Sequence, residues 1–310
     1  MNIVNTKTNY TYEILEKDIY NLKNKYDFLK VFILGKSVLG RNLYCIKIGK
    51  GPNKVFYNAA HHALEWITTP VLMKFIESFC YAYSNNKTIK KYNIKDIYNQ
   101  SSIYIVPMVN PDGIDLVING LKKDNPYYED LIKWNKGNND FSKNWSSNIR
   151  GVDLNHNYDA SWHLSKKYES KYNIHGPGPT RYSGEYPESE PETKALANFC
   201  RKHNFELVLA YHSQGEVIYW NYMNLADERS KKIANILSKC SNYYLDQAQG
   251  ISSVGGFKDW FIEKYRKPGY TIEVGKGKNP LPISQFDKIY SDNEELLILA
   301  SLVTTKNYPL

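Results

Sequence analysis

His62 and Glu65 stand three residues apart in Ala60-His61-His62-Ala63-Leu64-Glu65-Trp66, directly after an apolar run at residues 55–59. A third imidazole, His212, follows another apolar run at residues 205–211 and leads into Ser213. A hydrolytic zinc site takes three protein ligands of the His and carboxylate type and leaves a fourth position to water. His62, Glu65 and His212 fit that set as candidate metal ligands. Alone, the pair is a short pattern that chance supplies readily, and a lone His212 reads as a hydrogen-bonded core histidine. Glu273 changes the weighing. It lies inside the run Tyr270-Thr271-Ile272-Glu273-Val274, where an unpaired carboxylate is expensive. A basic partner would explain it structurally. Its functional reading is a general base facing the attacking water.

These residues need elements that bring them to one point. Residues 12–27 place Leu15, Ile19, Leu22 and Tyr26 at three- and four-residue steps, which predicts an amphipathic helix. Strand-like runs follow at 29–34, 43–48, 55–59 and 102–107. The glycine turn at 49–51 predicts that the second and third of them form a hairpin. Residues 66–83 read as a long helix with Val71, Leu72, Phe75, Phe79 and Cys80 on its buried face. The stretch from about 120 to 190 is polar and reads as loops and short helices, and long loops in compact domains are usually functional. Ser189-Glu190-Pro191-Glu192 looks like a capping box opening a helix to about residue 202. A strand at 205–211, a helix at 227–244, a strand at 269–274 and a helix at 293–304 complete the chain. Alternating strands and helices imply an α/β fold with a largely parallel sheet. Such sheets place ligands at the carboxyl ends of their strands, where His62, His212 and Glu273 fall. No internal repeat or linker appears, so residues 1–310 read as a single catalytic domain.

Further fixed points follow in order. They are Pro107-Met108-Val109-Asn110-Pro111-Asp112-Gly113, Arg150-Gly151-Val152-Asp153-Leu154-Asn155-His156-Asn157-Tyr158, Tyr182-Ser183-Gly184 and Gly255-Gly256-Phe257-Lys258-Asp259-Trp260. Together with His62-x-x-Glu65, His212-Ser213 and Thr271-Ile272-Glu273, this set resembles the zinc carboxypeptidase family typified by carboxypeptidase A, over about residues 10–304. The resemblance implies a three-layer α/β/α sandwich around a mixed, mostly parallel twisted sheet. It implies one Zn2+ per chain, held by His62, Glu65 and His212, with Glu273 as the general base. Asn155 resembles the residue that binds a substrate carboxylate, and Asn110-Pro111-Asp112-Gly113 would shape the cleft floor, unless Asp112 is a structural turn residue. Arg150 is the candidate for the family arginine that polarises the scissile carbonyl; its other reading is a brace for the loop near residue 110.

Departures from the digestive carboxypeptidases narrow the substrate. His156 stands where they carry the arginine that clamps a terminal carboxylate, Leu64 replaces another arginine, and Ile251 stands about where they have a mobile tyrosine. The pattern is closer to bacterial γ-D-glutamyl-(L)-meso-diaminopimelate peptidases, which cut cell-wall stem peptides. That branch implies a muropeptide as substrate, with Asn155, His156 and Lys276 reading its far end. Wall-binding repeats, frequent in the branch, are not seen here, which fits an intracellular or spore-associated form.

Net charge is +8, from 40 Lys plus Arg against 32 Asp plus Glu, but the lysines are scattered. That argues against a nucleic-acid partner. The longest apolar run, residues 296–300, is far shorter than the ~20 residues of a membrane span. The N-terminus lacks a basic start before an apolar block, so no signal peptide is read. Cys45, Cys80, Cys200 and Cys240 contain no Cys-x-x-Cys pair, and reduced thiols in the cytoplasm are expected. His61 reads as a packing neighbour of the ligands, and His163, His175 and His203 as surface residues. Three rivals stand beside the wall peptidase: a conventional metallocarboxypeptidase on ordinary peptides, an amidohydrolase removing small acyl groups, and a catalytically dead wall-binding module. The intact ligand set and Glu273 argue against the last.

Overall fold

Period-two alternation along the strands sorts their side chains between two cores. Val55, Tyr57 and Ala59 enter one core and Phe56 the other; Leu207, Leu209 and Tyr211 likewise part from Val208 and Ala210. A computed structural model describes residues 3–306, 308 and 309. In chain order it comprises α1 (Tyr12–Lys25), β1 (Lys30–Lys36), β2 (Asn42–Gly49), β3 (Asn53–Ala59), α2 (Thr68–Ser84) and a small ribbon of β4 (Thr88–Ile89) and β5 (Tyr92–Asn93). There follow α3 (Ile94–Gln100), β6 (Ser101–Val106), α4 (Pro111–Asn119), α5 (Tyr128–Trp134), α6 (Trp162–Lys171) and α7 (Pro191–Lys202). The chain closes through β7 (Leu207–His212), β8 (Val217–Tyr219), α8 (Glu228–Ser241), β9 (Tyr244–Asp246), α9 (Phe257–Tyr265), β10 (Gly269–Glu273) and α10 (Phe286–Leu302).

Among the described residues, one sheet runs in the order β1-β2-β6-β3-β7-β10-β8-β9. Its central strands β6, β3, β7 and β10 are parallel. The pairs β1–β2, β2–β6 and β10–β8 are antiparallel. Helices α1, α2, α8 and α10 bury one face, and α7 and α9 the other. This is the expected α/β/α sandwich with a mixed, mostly parallel sheet. Among the described residues, no helix is long and apolar enough to cross a membrane.

Three local expectations are corrected. β2 and β3 do not form a hairpin, because β6 lies between them. The glycines are the reason. A Cβ on Gly49 would sit 2.1 Å from the Ser101 carbonyl oxygen, and one on Gly51 would sit 1.9 Å from Gln100. The turn is thus bare to admit the start of β6, while β1 and β2 make the hairpin. The capping box is also absent: Glu190 is the N-cap of α7 and makes no side-chain cap bond. Glu192 instead accepts from the Val38 N–H at 3.0 Å. Finally, α10 begins at Phe286, before its polar stretch, since Phe286 and Ile289 are already buried.

Candidate active site

His62 leaves the end of β3 through Ala60, whose φ of +59° turns the chain over the sheet. The backbone N–H groups of Val109 and Asn110 pin this turn through the carbonyls of Ala59 and Ala60, each at 3.0 Å. One 3-10 turn, Ala63–Glu65, follows. Side chains three apart eclipse in that geometry, so Glu65 returns over His62. His212 ends β7, the neighbour of β3, and arrives from the other side.

The donor atoms converge. His62 Nδ1 lies 2.9 Å from Glu65 Oε1, His212 Nδ1 lies 2.9 Å from Glu65 Oε2, and the two ring nitrogens are 3.3 Å apart. Two histidine nitrogens and a carboxylate, all within 4.8 Å of one another, are the donor set of an open zinc site. The electrostatics agree. Burial by itself would lower the basicity of His62, but the adjacent Glu65 and Asp153 outweigh it and push His62 well above the usual histidine range. Burial opposes ionisation of Glu65, yet His62 and His212 hold its carboxyl down at about 2. Glu65 and Asp153 thus surround His62 with negative charge, which a divalent cation held by the ligand set would offset.

Asp153 holds the other ring edge, with Oδ1 3.1 Å from His62 Nε2. Its oxygens also accept from the N–H groups of Asn155 at 3.2 Å and Arg181 at 2.8 Å. Asn110, capping α4, donates through Nδ2 to the His61 carbonyl at 3.0 Å. His61 is a packing neighbour: it is buried, contacts Tyr158 Oη at 2.9 Å, and stacks on His212 with centroids 5.6 Å apart.

Glu273 ends β10, and its register partner on β7 is His212. Burial pushes its carboxyl well above the usual range, the Glu65 carboxylate adds to this, and His62 opposes it. A cleft of about 420 Å3 is lined by His62, Asn155, His156, Lys258, Asp259 and Glu273 among others. Asn155 Oδ1 accepts from the Phe257 N–H at 3.0 Å, which leaves its amide NH2 for the cleft. His156 is engaged elsewhere: Nδ1 lies 3.1 Å from the Val254 carbonyl and Nε2 3.9 Å from Asp153.

Arg150 does not join them. Its Nε donates to the Tyr127 hydroxyl at 3.3 Å, its guanidinium faces Glu190 at 3.8 Å, and its side chain is 43 % exposed. Asp112 is likewise structural, binding the Leu39 N–H at 2.8 Å and Arg41 at 2.7 Å. Lys276 pairs with Glu216 at 2.7 Å on the surface, and Ile251 is buried. The sequence does not single out Asp153, which meets His62, or Lys258 and Asp259, which line the cleft. The signal available was a charged pair wedged between Gly255-Gly256 and Trp260-Phe261.

Comparison with known proteins agrees with this geometry. The zinc carboxypeptidase family matches residues 15–296, and the chain belongs to that family. It is 43% identical over 290 residues to γ-D-glutamyl-L-diamino acid endopeptidase 1 of Lysinibacillus sphaericus, covering 94% of this chain and 72% of the relative. Bovine thrombin-activatable fibrinolysis inhibitor superposes with a TM-score of 0.70 at 22% identity, covering 96% of this chain and 97% of that one. The murein-tripeptide amidase MpaA of Escherichia coli O157 gives a TM-score of 0.52 at 19% identity, covering 88% and 91%. These two likenesses concern the fold.

Proposed function

We propose that the protein is a zinc metallopeptidase that hydrolyses the amide bond between γ-D-glutamate and a diamino acid in cell-wall stem peptides. The convergence of His62, Glu65 and His212 beside Glu273 carries the reaction type. The relative named for γ-D-glutamyl-L-diamino acid bonds supports the substrate class. An arginine in the cleft would give the terminal carboxylate of an ordinary peptide a two-pronged clamp. No arginine lines the cleft among the described residues.

His62, Glu65 and His212 would hold one Zn2+ per chain. When bound, zinc supplies Lewis-acid activation of the scissile carbonyl and the attacking water. Glu273 takes a proton from that water on a carboxylate oxygen and returns it to the leaving nitrogen. Asp153 keeps His62 turned with Nδ1 toward Glu65. Asn155 donates its amide N–H to a substrate carboxylate. His156, fixed between Val254 and Asp153, braces the cleft wall, and Arg150 braces Tyr127 and Glu190 outside it. The substrate is a muropeptide. The four cysteines are free, which suits a cytoplasmic setting. Metal analysis paired with turnover of one stem tripeptide tests the reading. Zinc near one per chain with release of free diaminopimelate supports it; a zinc-replete protein inert toward the tripeptide contradicts it.

A further inference from the structure

Arg181 holds an uncommon backbone. Its φ is +68°, a left-handed conformation that costs a non-glycine residue free energy and collects at functional sites. Asp153 fixes it there. The Arg181 N–H donates to Asp153 Oδ2 at 2.8 Å, and the other oxygen of that carboxylate lies 3.1 Å from His62 Nε2. One aspartate thus separates this backbone from a candidate metal ligand.

The side chain turns outward. It is exposed, and its guanidinium lies over the Tyr172 ring, 5.8 Å from the centroid. The Lys171 ammonium approaches the same ring at 6.0 Å. Arg41, Arg150 and Arg201 each face a carboxylate, whereas Arg181 and Lys171 pair with none among the described residues. Two like charges drawn to one ring repel each other, and an anion beside them offsets that repulsion. The ring stands at the edge of the cleft. A Cβ on Gly250 would lie 3.8 Å from the Tyr172 hydroxyl, and Gln249 and Ser252 of the same turn line the cleft.

The proposed substrate offers an anion at such a place. Its scissile amide joins the diamino acid to the side-chain carboxyl of D-glutamate. The α-carboxylate of that glutamate stays free, on the acyl side of the bond that breaks. The leaving diamino acid takes the cleft, whose lining includes neither Arg181 nor Lys171. The acyl part runs out over the rim. A guanidinium is the side chain that meets a carboxylate with two parallel N–H donors.

We infer that Arg181, anchored by Asp153 and laid on Tyr172, binds the free α-carboxylate of the γ-linked glutamate, with Lys171 adding charge beside it. This rests on the γ-D-glutamyl reading above and names the group by which the linkage itself is recognised.

The test uses zinc-replete full-length protein and two peptides that differ in one group. One is L-Ala-γ-D-Glu-meso-diaminopimelate; the other is the same tripeptide with the glutamate α-carboxylate replaced by a carboxamide, which keeps the size and loses the charge. Wild type should favour the carboxylate by about fivefold or more in kcat/KM, the scale of a charged contact open to solvent. Arg181→Asn suits the left-handed backbone and should bring that ratio within about twofold of one, with zinc content and melting temperature checking the fold. Tyr172→Leu leaves the turn at 181 untouched, removes the ring, and should lower the ratio at least twofold. An unchanged ratio in folded Arg181→Asn or in Tyr172→Leu overturns the assignment. Wild type that cleaves both peptides equally, or prefers the carboxamide, overturns it while leaving the γ-D-glutamyl reading intact. Wild type that cleaves neither overturns both.

Discussion

Asp153 Oδ1 lies 3.1 Å from His62 Nε2, the ring nitrogen that does not face Glu65. A buried carboxylate on the outer edge of a ligand histidine fixes its tautomer and raises its basicity. Asp153→Asn should therefore lower zinc affinity about 10- to 100-fold, read by competition with a chromophoric chelator. Unchanged affinity would make the contact incidental.

Glu273→Gln tests the proton path. The amide preserves size and β10 pairing but cannot accept a proton. Turnover should fall about 10²-fold or more, with zinc content unchanged. Near-normal turnover would reduce Glu273 to a structural role.

Arg150→Ala separates a brace from an oxyanion partner. The side chain faces Tyr127 and Glu190 rather than the cleft. Turnover should stay within about threefold of wild type, while stability falls by about 1–3 kcal/mol, because the Glu190 carboxylate that loses its facing charge is buried. A 10²-fold loss in kcat at unchanged stability would place the guanidinium at the reacting carbonyl.

Glu192 sets a pH dependence of stability. Burial, with the Asp112 carboxylate adding to it, pushes its carboxyl up to about 8 from an ordinary 4.5. The protonated form therefore favours the folded state. That contribution is complete below pH 4.5, declines as the unfolded chain ionises, and is gone above about pH 8. Glu192→Gln should remove this decline, so the variant gains on wild type in melting temperature between pH 5 and pH 9. Parallel melting curves for the two proteins across that range would contradict the assignment.

Much of the fold was legible because its signals are local. Apolar runs end where ligands begin, so His62, His212 and Glu273 could be placed at strand ends before any coordinates. The insertion of β6 between β2 and β3 was not legible, since strand order is decided by contacts between distant segments. The glycines that permit it read equally well as a hairpin turn. Arg150 failed for a related reason. Its position in the motif fixes the backbone, but where a long side chain points depends on Tyr127 and Glu190, which lie far away in sequence. Lys258 was overlooked because a lysine beside an aspartate looks like solvated surface, and only the packing of α9 against the Asn221 turn buries it.

The most direct measurement compares two substrates with one preparation of zinc-replete protein. L-Ala-γ-D-Glu-meso-diaminopimelate and an N-blocked dipeptide ending in phenylalanine are incubated side by side, and products are followed by mass spectrometry. The expected result is faster cleavage at the γ-D-glutamyl–diaminopimelate bond, lost on chelation and restored by zinc. A tenfold or greater preference for the blocked dipeptide, about 1.4 kcal/mol in transition-state binding, or turnover that survives exhaustive chelation, would contradict the proposed function.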